Sequence, residues 1–157
     1  MEDLHPFVLN IVNLWNIHLR RENLYKQAMG FEDLGSLRRT CSQGYGSSLL
    51  FKKEIQWVYD QVKCSLLDGD IRNSKQTDNR VFIFPWEDKT SIAFMLQEQE
   101  QRAMRIYKKL LAQKNYMTLE ANYIFNDHLV KIEDINKGLS KALTKSIYLN
   151  GFLQYAS

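Results

Sequence analysis

Five side chains in this sequence have the chemistry to bind a metal ion or to move protons. They are two histidines and three glutamates: His18, Glu22, Glu54, Glu100 and His128. Carboxylate and imidazole groups are suitable ligands for iron and manganese. Helical bundles that hold two such ions use a glutamate from each of two helices and a Glu-x-x-His pair from each of the other two. The five residues lie in four separate parts of the chain, so this chemistry depends on helices that bring them together.

The paired ligands of a two-metal centre are incomplete. Glu54 is followed three residues later by Trp57, and His128 is preceded three residues earlier by Phe125. A standard two-iron centre is therefore not expected, and no cofactor is predicted. A reduced site for iron or manganese remains as the alternative, with these candidate metal ligands: Glu22, Glu54, Glu100, His128 and His18.

Each candidate ligand also has a structural interpretation. His18 and Glu22 are four residues apart and can hydrogen-bond on one helix face. Glu100 can pair with a neighbouring basic side chain, and His128 can be an interior histidine with its own hydrogen bonds. No catalytic residue is predicted, because the sequence has no phosphate-binding glycine loop and no Gly-x-Ser-x-Gly motif. Cys41 and Cys64 have neither a zinc-binding spacing nor a neighbouring base.

Apolar residues recur at steps of three and four and predict four amphipathic helices. We expect them at about residues 5–30, 36–67, 88–114 and 118–143, with a crossover at 68–87 and an apolar tail at 144–157. Residues 21–37 and 103–119 are similar, since each contains a Tyr-Lys pair followed by a short break. Short loops within each half and a long connection between the halves predict an all-α, ferritin-like antiparallel bundle of two helical hairpins.

The middle of the second predicted helix contains only small residues around one tyrosine, Gly44, Gly46, Ser47 and Ser48. Three interpretations stay open. A neighbouring helix can approach closely there, the helix can kink, or the space can hold a small apolar ligand. The ligand would need a cavity of roughly 300 Å³ or more.

Helix 1 carries NIVNLWNIHLRRENLYKQA, helix 2 EDLGSLRRTCSQGYGSSLLFKKEIQWVYDQV and helix 3 EQEQRAMRIYKKLL, with NDHLVKIEDINKGLSKAL in helix 4. Across residues 8–143 these segments resemble the bacterial ferritin-like four-helix-bundle domain family of unknown function, which is often found in small stress-associated cytoplasmic proteins. Residues 69–87 and the apolar tail depart from that family. The resemblance implies a fold and hardly any chemistry.

Composition is that of one ordinary soluble domain. Of 157 residues, 45% are hydrophobic and 25% charged, and the net charge of +3 comes from interspersed charges rather than from a basic stripe. Nucleic-acid binding is therefore not expected. No segment has the ~20 apolar residues of a membrane span and no signal peptide is visible, which predicts a cytoplasmic protein. The apolar segments 81–86 and 147–155 favour a non-enzymatic protein that self-associates, or binds a protein partner through the C-terminal tail.

Overall fold

The computed structural model describes the backbone of residues 4–63, 82–113 and 117–156, and the side chains of 6–62, 82–113 and 117–144. It contains α1 (Leu4–Met29), α2 (Leu37–Lys63), α3 (Lys89–Ala112) and α4 (Leu119–Ala156), and no strand occurs in these ranges. The predicted all-α class and the four helices are confirmed. The predicted polar loop at 68–80 and the predicted helix ends at 67 and 114 lie outside the described residues.

Local signals in the sequence set the helix ends. The loop after α1 turns at Gly35, whose φ of 58° lies in the left-handed region that glycine tolerates. Arg38 donates to the carbonyl of Met29 at the end of α1 over 2.9 Å. Asp88 caps α3 by accepting from the backbone N–H of Ser91 at 2.7 Å. Thr118 caps α4, where its hydroxyl oxygen accepts from the N–H of Ala121 at 3.1 Å.

The predicted end of the fourth helix at about residue 143 was wrong. The helix α4 continues to Ala156 and is 38 residues long. Residues 144–156 contain no proline, and their apolar residues continue at helical spacing, so nothing local ends the helix. The side chains of 145–156 lie outside the described residues, and so does the predicted interface on this tail.

Each helix packs on two others. Helix α1 packs on α2 and α3, and α4 packs on α3 and α2. The apolar core forms two clusters, one containing Phe7, Ile11, Phe51, Ile55, Leu110 and Phe125, the other Leu24, Leu34, Leu37, Leu96 and Leu139. On α1 and α3, the polar residues His18, Arg21 and Glu100 fall between the segments that build the two clusters. Among the described residues, no helix combines the length and the apolar character that crossing a membrane requires.

The buried face of α1 is rotated relative to the stripe that the apolar residues predict. Val12, Trp15, Leu19 and Met29 are among the apolar residues of this helix, but they are only partly buried. The core positions on this helix between Phe7 and Ala28 include Leu14, Ile17 and Leu24. The rotation follows from His18 and Arg21, which lie at the same helical spacing and point inward.

Candidate functional site

A group of fully buried polar side chains lies where the helices meet. We call it the polar cluster, and every member has zero exposed area: His18, Arg21, Tyr25, Glu100, Tyr107 and His128. They come from α1, α3 and α4, and no backbone segment other than a helix contributes. Buried polar groups are stable only when they are hydrogen-bonded, so the contacts within the cluster decide what it can do.

Arg21 is the central donor of the polar cluster. Its Nε donates to Oε1 of Glu100 at 2.6 Å, one terminal nitrogen donates to Nδ1 of His18 at 2.9 Å, and the other donates to Oγ of Ser47 at 3.0 Å. The guanidinium carbon also lies 5.6 Å from the ring centre of Tyr25 and 5.9 Å from that of Phe51. Both distances are within the range of cation–π attraction. The guanidinium group of Arg21 is therefore bound by hydrogen-bond acceptors at its edge and by the rings of Tyr25 and Phe51.

Glu100 provides the negative charge that compensates Arg21. Its Oε1 also accepts from the hydroxyl of Tyr25 at 2.6 Å, whereas Oε2 is buried and has no hydrogen-bond partner within the described part of the chain. Burial and the adjacent Glu100 carboxylate raise the pKa of Tyr25 well above its ordinary value. Burial alone would lower the pKa of Arg21, but Glu100 outweighs it and the pKa is raised. Arg21 is thus a permanent cation and Tyr25 a permanent donor.

Tyr107 connects the two buried histidines. Its hydroxyl lies 2.7 Å from Nε2 of His18 and 2.7 Å from Nδ1 of His128. Burial raises the pKa of Tyr107 well above its ordinary value, so the hydroxyl keeps its proton. His128 stacks on the ring of Phe51, with ring centres 3.8 Å apart and planes 18° from parallel. Its Nε2 lies 3.3 Å from Oε1 of Glu54 at the edge of the cluster.

The donor-only chemistry of arginine fixes the direction of every bond along this path. Because Arg21 can only donate, Nδ1 of His18 accepts, and a neutral His18 carries its proton on Nε2. That proton is donated to the Tyr107 oxygen, and the Tyr107 hydroxyl donates in turn to Nδ1 of His128. His128 then carries its proton on Nε2 and donates it to Glu54. We call this path, which runs from Arg21 to Glu54, the hydrogen-bond chain.

Both histidines of the hydrogen-bond chain are uncharged near neutral pH. Burial, reinforced by the positive charge of Arg21, lowers the pKa of His18 well below its ordinary value of 6.5. Burial lowers the pKa of His128 to about 3. A protonated His18 would place an N–H group opposite the N–H donor of Arg21. The geometry therefore also disfavours protonation of His18.

This neutrality predicts a pH dependence of stability. Below pH 6.5 the unfolded chain binds protons that the folded histidines do not, so the free energy of unfolding falls as the pH falls towards the folded value of about 3. We expect a slope approaching about 1.4 kcal/mol per pH unit for each histidine. Urea unfolding between pH 6.5 and 5 measures it, and His128→Gln should remove about half of the slope. A pH-independent free energy of unfolding in this range would contradict the prediction.

The glycine-rich middle of α2 positions Tyr25. A Cβ on Gly44 would overlap with Cζ, Cε1 and Cε2 of the Tyr25 ring, so this ring lies directly on the helix backbone. Ser47 accepts from Arg21 and donates to the carbonyl of Gly44 at 3.0 Å. Of the three open interpretations of this segment, close approach is the one observed, and the Tyr25 ring fills the space next to Gly44 that an apolar ligand would need.

The structure gathers four of the five predicted ligand residues into one network but gives them different partners. Glu100 accepts from Arg21, His18 and His128 flank Tyr107, and Glu54 contacts His128. Glu22 instead forms an ion pair with Lys52, and both of these side chains are only partly exposed. Within the described residues, no group of three or more His, Cys, Asp or Glu side chains is placed to hold a metal ion.

Arg21, Tyr25 and Tyr107 were not among the residues that the sequence predicted for this site. Arg21 follows His18 by three residues and precedes Tyr25 by four, so helical spacing alone puts all three on one face. Tyr25 and Tyr107 occupy matching positions in the two similar halves. Both signals are visible in the sequence. Comparison with protein-family models, with characterised proteins and with solved structures finds no match for this chain.

Proposed function

We propose that this protein is a non-enzymatic cytoplasmic helical bundle that acts by self-association. The single observation that carries the proposal is a group of exposed aromatic side chains just before and within the start of α3. They are Phe82 (64% exposed), Phe84 (49%), Trp86 (76%) and Phe94 (53%). We call these four residues the aromatic surface. Exposed aromatic side chains concentrated in one segment, two of them stacked on each other, are typical of a site of interaction. Single exposed apolar residues are normal on a protein surface, but here four exposed aromatic side chains lie within thirteen residues.

The aromatic surface is held in place rather than hanging loosely from the bundle. The side chain of Ile83 is buried in the core, and its backbone N–H donates to Oε1 of Gln27 on α1 at 2.7 Å. The rings of Phe84 and Trp86 stack with centres 4.6 Å apart and planes 4° from parallel. The segment therefore presents flat aromatic faces with little conformational entropy left to lose on binding.

A second copy of the chain is the occupant that these features favour. The patch is built of aromatic side chains, the residue type enriched at interface cores, and none of its four members is charged. A matching patch can cover it without burying an unpaired charge. Two-fold dimers, in which one surface meets itself, are also the commonest soluble assemblies. The apolar segment 81–86 was one of two expected to mediate contact, and the other, in the tail, lies outside the described residues.

The double change Phe84→Ser and Trp86→Ser tests this proposal. We expect the unchanged protein to have a mass above that of one chain in light scattering at micromolar to millimolar concentration, and the double variant to have the mass of one chain. The reason is the loss of the stacked pair, since large aromatic side chains at an interface core are the typical hot spots. Because both side chains are half or more exposed, the free energy of unfolding of the variant should change by less than about 1 kcal/mol.

A matched control is Tyr123→Ser on α4, which removes an aromatic side chain that is 68% exposed but outside the aromatic surface. It should leave the mass unchanged. A mass of one chain for the unchanged protein at every concentration would overturn the proposal, and so would an equal loss of association in the control.

The non-enzymatic part of the proposal rests on the enclosure of the polar cluster. Its six members have no exposed area, and their hydrogen bonds run to one another and to the partly exposed Ser47 and Glu54. A substrate could therefore reach these two side chains but not the cluster itself. Groups with perturbed pKa values also occur in structural networks, so the shifts described above do not by themselves mark a catalytic site.

The ferritin-like arrangement is part of this proposal. Its support is the packing order, in which α1 contacts α2 and α3 while α4 contacts the same two helices. In an up-down-up-down bundle consecutive helices are neighbours, so α2 would be expected beside α3. Tyr25 of α1 contacts Gly44 of α2, and His18 of α1 contacts Phe51 of α2. The residue number on α2 increases as the residue number on α1 decreases, which agrees with an antiparallel α1–α2 pair.

The metal-binding or oxidase-like alternative has one observation in its favour, the buried Oε2 of Glu100 without a hydrogen-bond partner in the described part of the chain. Against it, Arg21 already donates to both Glu100 and His18, and a cation bound there would be repelled by the guanidinium. Elemental analysis after incubation with ferrous iron, manganese and zinc tests it. Retained metal that is lost on Glu100→Gln would favour this alternative.

A further inference from the structure

Glu54 is the only member of the hydrogen-bond chain that reaches the surface. Its side chain is 33% exposed, while that of its partner His128 is fully buried. Oε1 accepts from Nε2 of His128 over a long 3.3 Å, and Oε2 makes no hydrogen bond to any side chain that the structure describes. The carboxylate is thus held from inside through one oxygen and faces outwards with the other.

Exposed apolar side chains lie beside Glu54, and no lysine or arginine in the described residues forms an ion pair with it. Leu50 lies one turn before it and Trp57 almost one turn after it on the same face of α2, and they are 48% and 42% exposed. On α4, Lys131 pairs with Asp127 at 2.9 Å. Burial raises the pKa of Glu54, although the positive charge of Lys131 opposes the shift more strongly than the negative charge of Asp127 assists it. His128 contributes no charge near neutral pH.

We propose that Glu54, with Leu50 and Trp57 beside it, is the binding site for a lysine or arginine side chain presented by an apolar helix of a partner protein. Charge complementarity selects this occupant, because a carboxylate that forms no ion pair with a described lysine or arginine, and lies beside two exposed apolar side chains, matches a cation on an apolar stem. An amphipathic helix docked on two exposed apolar residues one to two turns apart is a recurring mode of recognition. The site lies on α2 and shares no residue with the aromatic surface.

The hydrogen-bond chain explains why this carboxylate is suited to the task. Every donor in it points towards Glu54, beginning with the cation of Arg21, so the buried network holds the carboxylate of Glu54 in one orientation. His128 fixes Oε1, and Oε2 stays available for an incoming donor. His128 is therefore a positioning residue, and the polar cluster supports a surface site that it does not itself form.

The test is binding of a helical peptide made of leucine and lysine, followed by titration calorimetry and by amide NMR shifts. A matched peptide of leucine and glutamate is the control ligand. We expect the lysine peptide to shift the amides of α2 around residues 50–57 and to bind Glu54→Gln about tenfold more weakly, the effect of one charge-assisted hydrogen bond. Glu98→Gln, which changes an exposed carboxylate paired with Arg102, should bind as the unchanged protein does.

Three results would overturn the proposal: equal binding of both peptides, equal binding to Glu54→Gln, or shifts confined to residues outside α2. The isosteric Glu54→Gln change keeps the volume of the side chain, and its circular dichroism spectrum verifies the fold. Repeating the titration with the Phe84→Ser and Trp86→Ser variant separates the two proposals. Binding that persists there supports the Glu54 site whether or not the chain self-associates, and binding lost there assigns the peptide to the aromatic surface instead.

Discussion

Replacing Gly44 with alanine is expected to lower the free energy of unfolding by about 3 kcal/mol, although alanine is the better helix former. The added Cβ would overlap with the ring of Tyr25, which is fully buried. If the ring moves, its hydroxyl leaves the carboxylate of Glu100, and a buried charged acceptor loses one of its two donors. Urea unfolding followed by circular dichroism measures the change.

Gly46 provides the matched control. It lies two residues further along the same helix, is exposed, and has no atom within 4 Å of the position that its Cβ would take. Gly46→Ala should therefore raise the free energy of unfolding by about 0.5–1 kcal/mol, the ordinary gain for glycine to alanine in a helix. Similar effects at the two positions would contradict the close contact between Tyr25 and α2.

The second large effect is expected on breaking the buried ion pair. Arg21→Met should cost about 3–5 kcal/mol, because it leaves the carboxylate of Glu100 buried without its cation. The same change removes the donors to His18 and Ser47, so the hydrogen-bond chain loses its starting point. Glu100→Gln should also be strongly destabilising, since it leaves the guanidinium of Arg21 without a counter-charge.

A double-mutant cycle isolates this interaction. The combined Arg21→Met and Glu100→Gln variant should lose about 2 kcal/mol less than the sum of the two single changes, because neither charge is left alone. Glu22→Gln is the control at a partly exposed pair, and its effect should stay below about 1 kcal/mol. Additive effects at Arg21 and Glu100 would show that the two side chains do not interact as described.

Much of the fold could be predicted because apolar spacing and caps are local signals. The four helices, the start of α3 at Asp88 and the start of α4 after Thr118 all follow from such signals. The end of α4 could not be predicted in the same way. An apolar tail is compatible with helix, with irregular structure and with an interface, and no proline or cap decides among them.

Three of the six members of the polar cluster could be predicted, but their contacts could not. His18, Glu100 and His128 were selected for their chemistry, and the structure brings them together. Arg21 was missed because a charged residue between apolar ones is normally on the solvent side of a helix. Its burial depends on acceptors that come from α2 and α3, 26 and 79 positions away in the sequence. No local pattern reports such a long-range pairing.

The most direct test of the account is an NMR measurement of the ring nitrogens of His18 and His128 at pH 7, with ¹⁵N-labelled histidine and assignment by His18→Gln and His128→Gln. The directed chain from Arg21 to Glu54 predicts that both rings are neutral and carry their proton on Nε2, and that neither becomes charged as the pH is lowered to 5. A proton on Nδ1 of His18, or a charged imidazolium at pH 7, would contradict the chain, because Arg21 would then face a second donor.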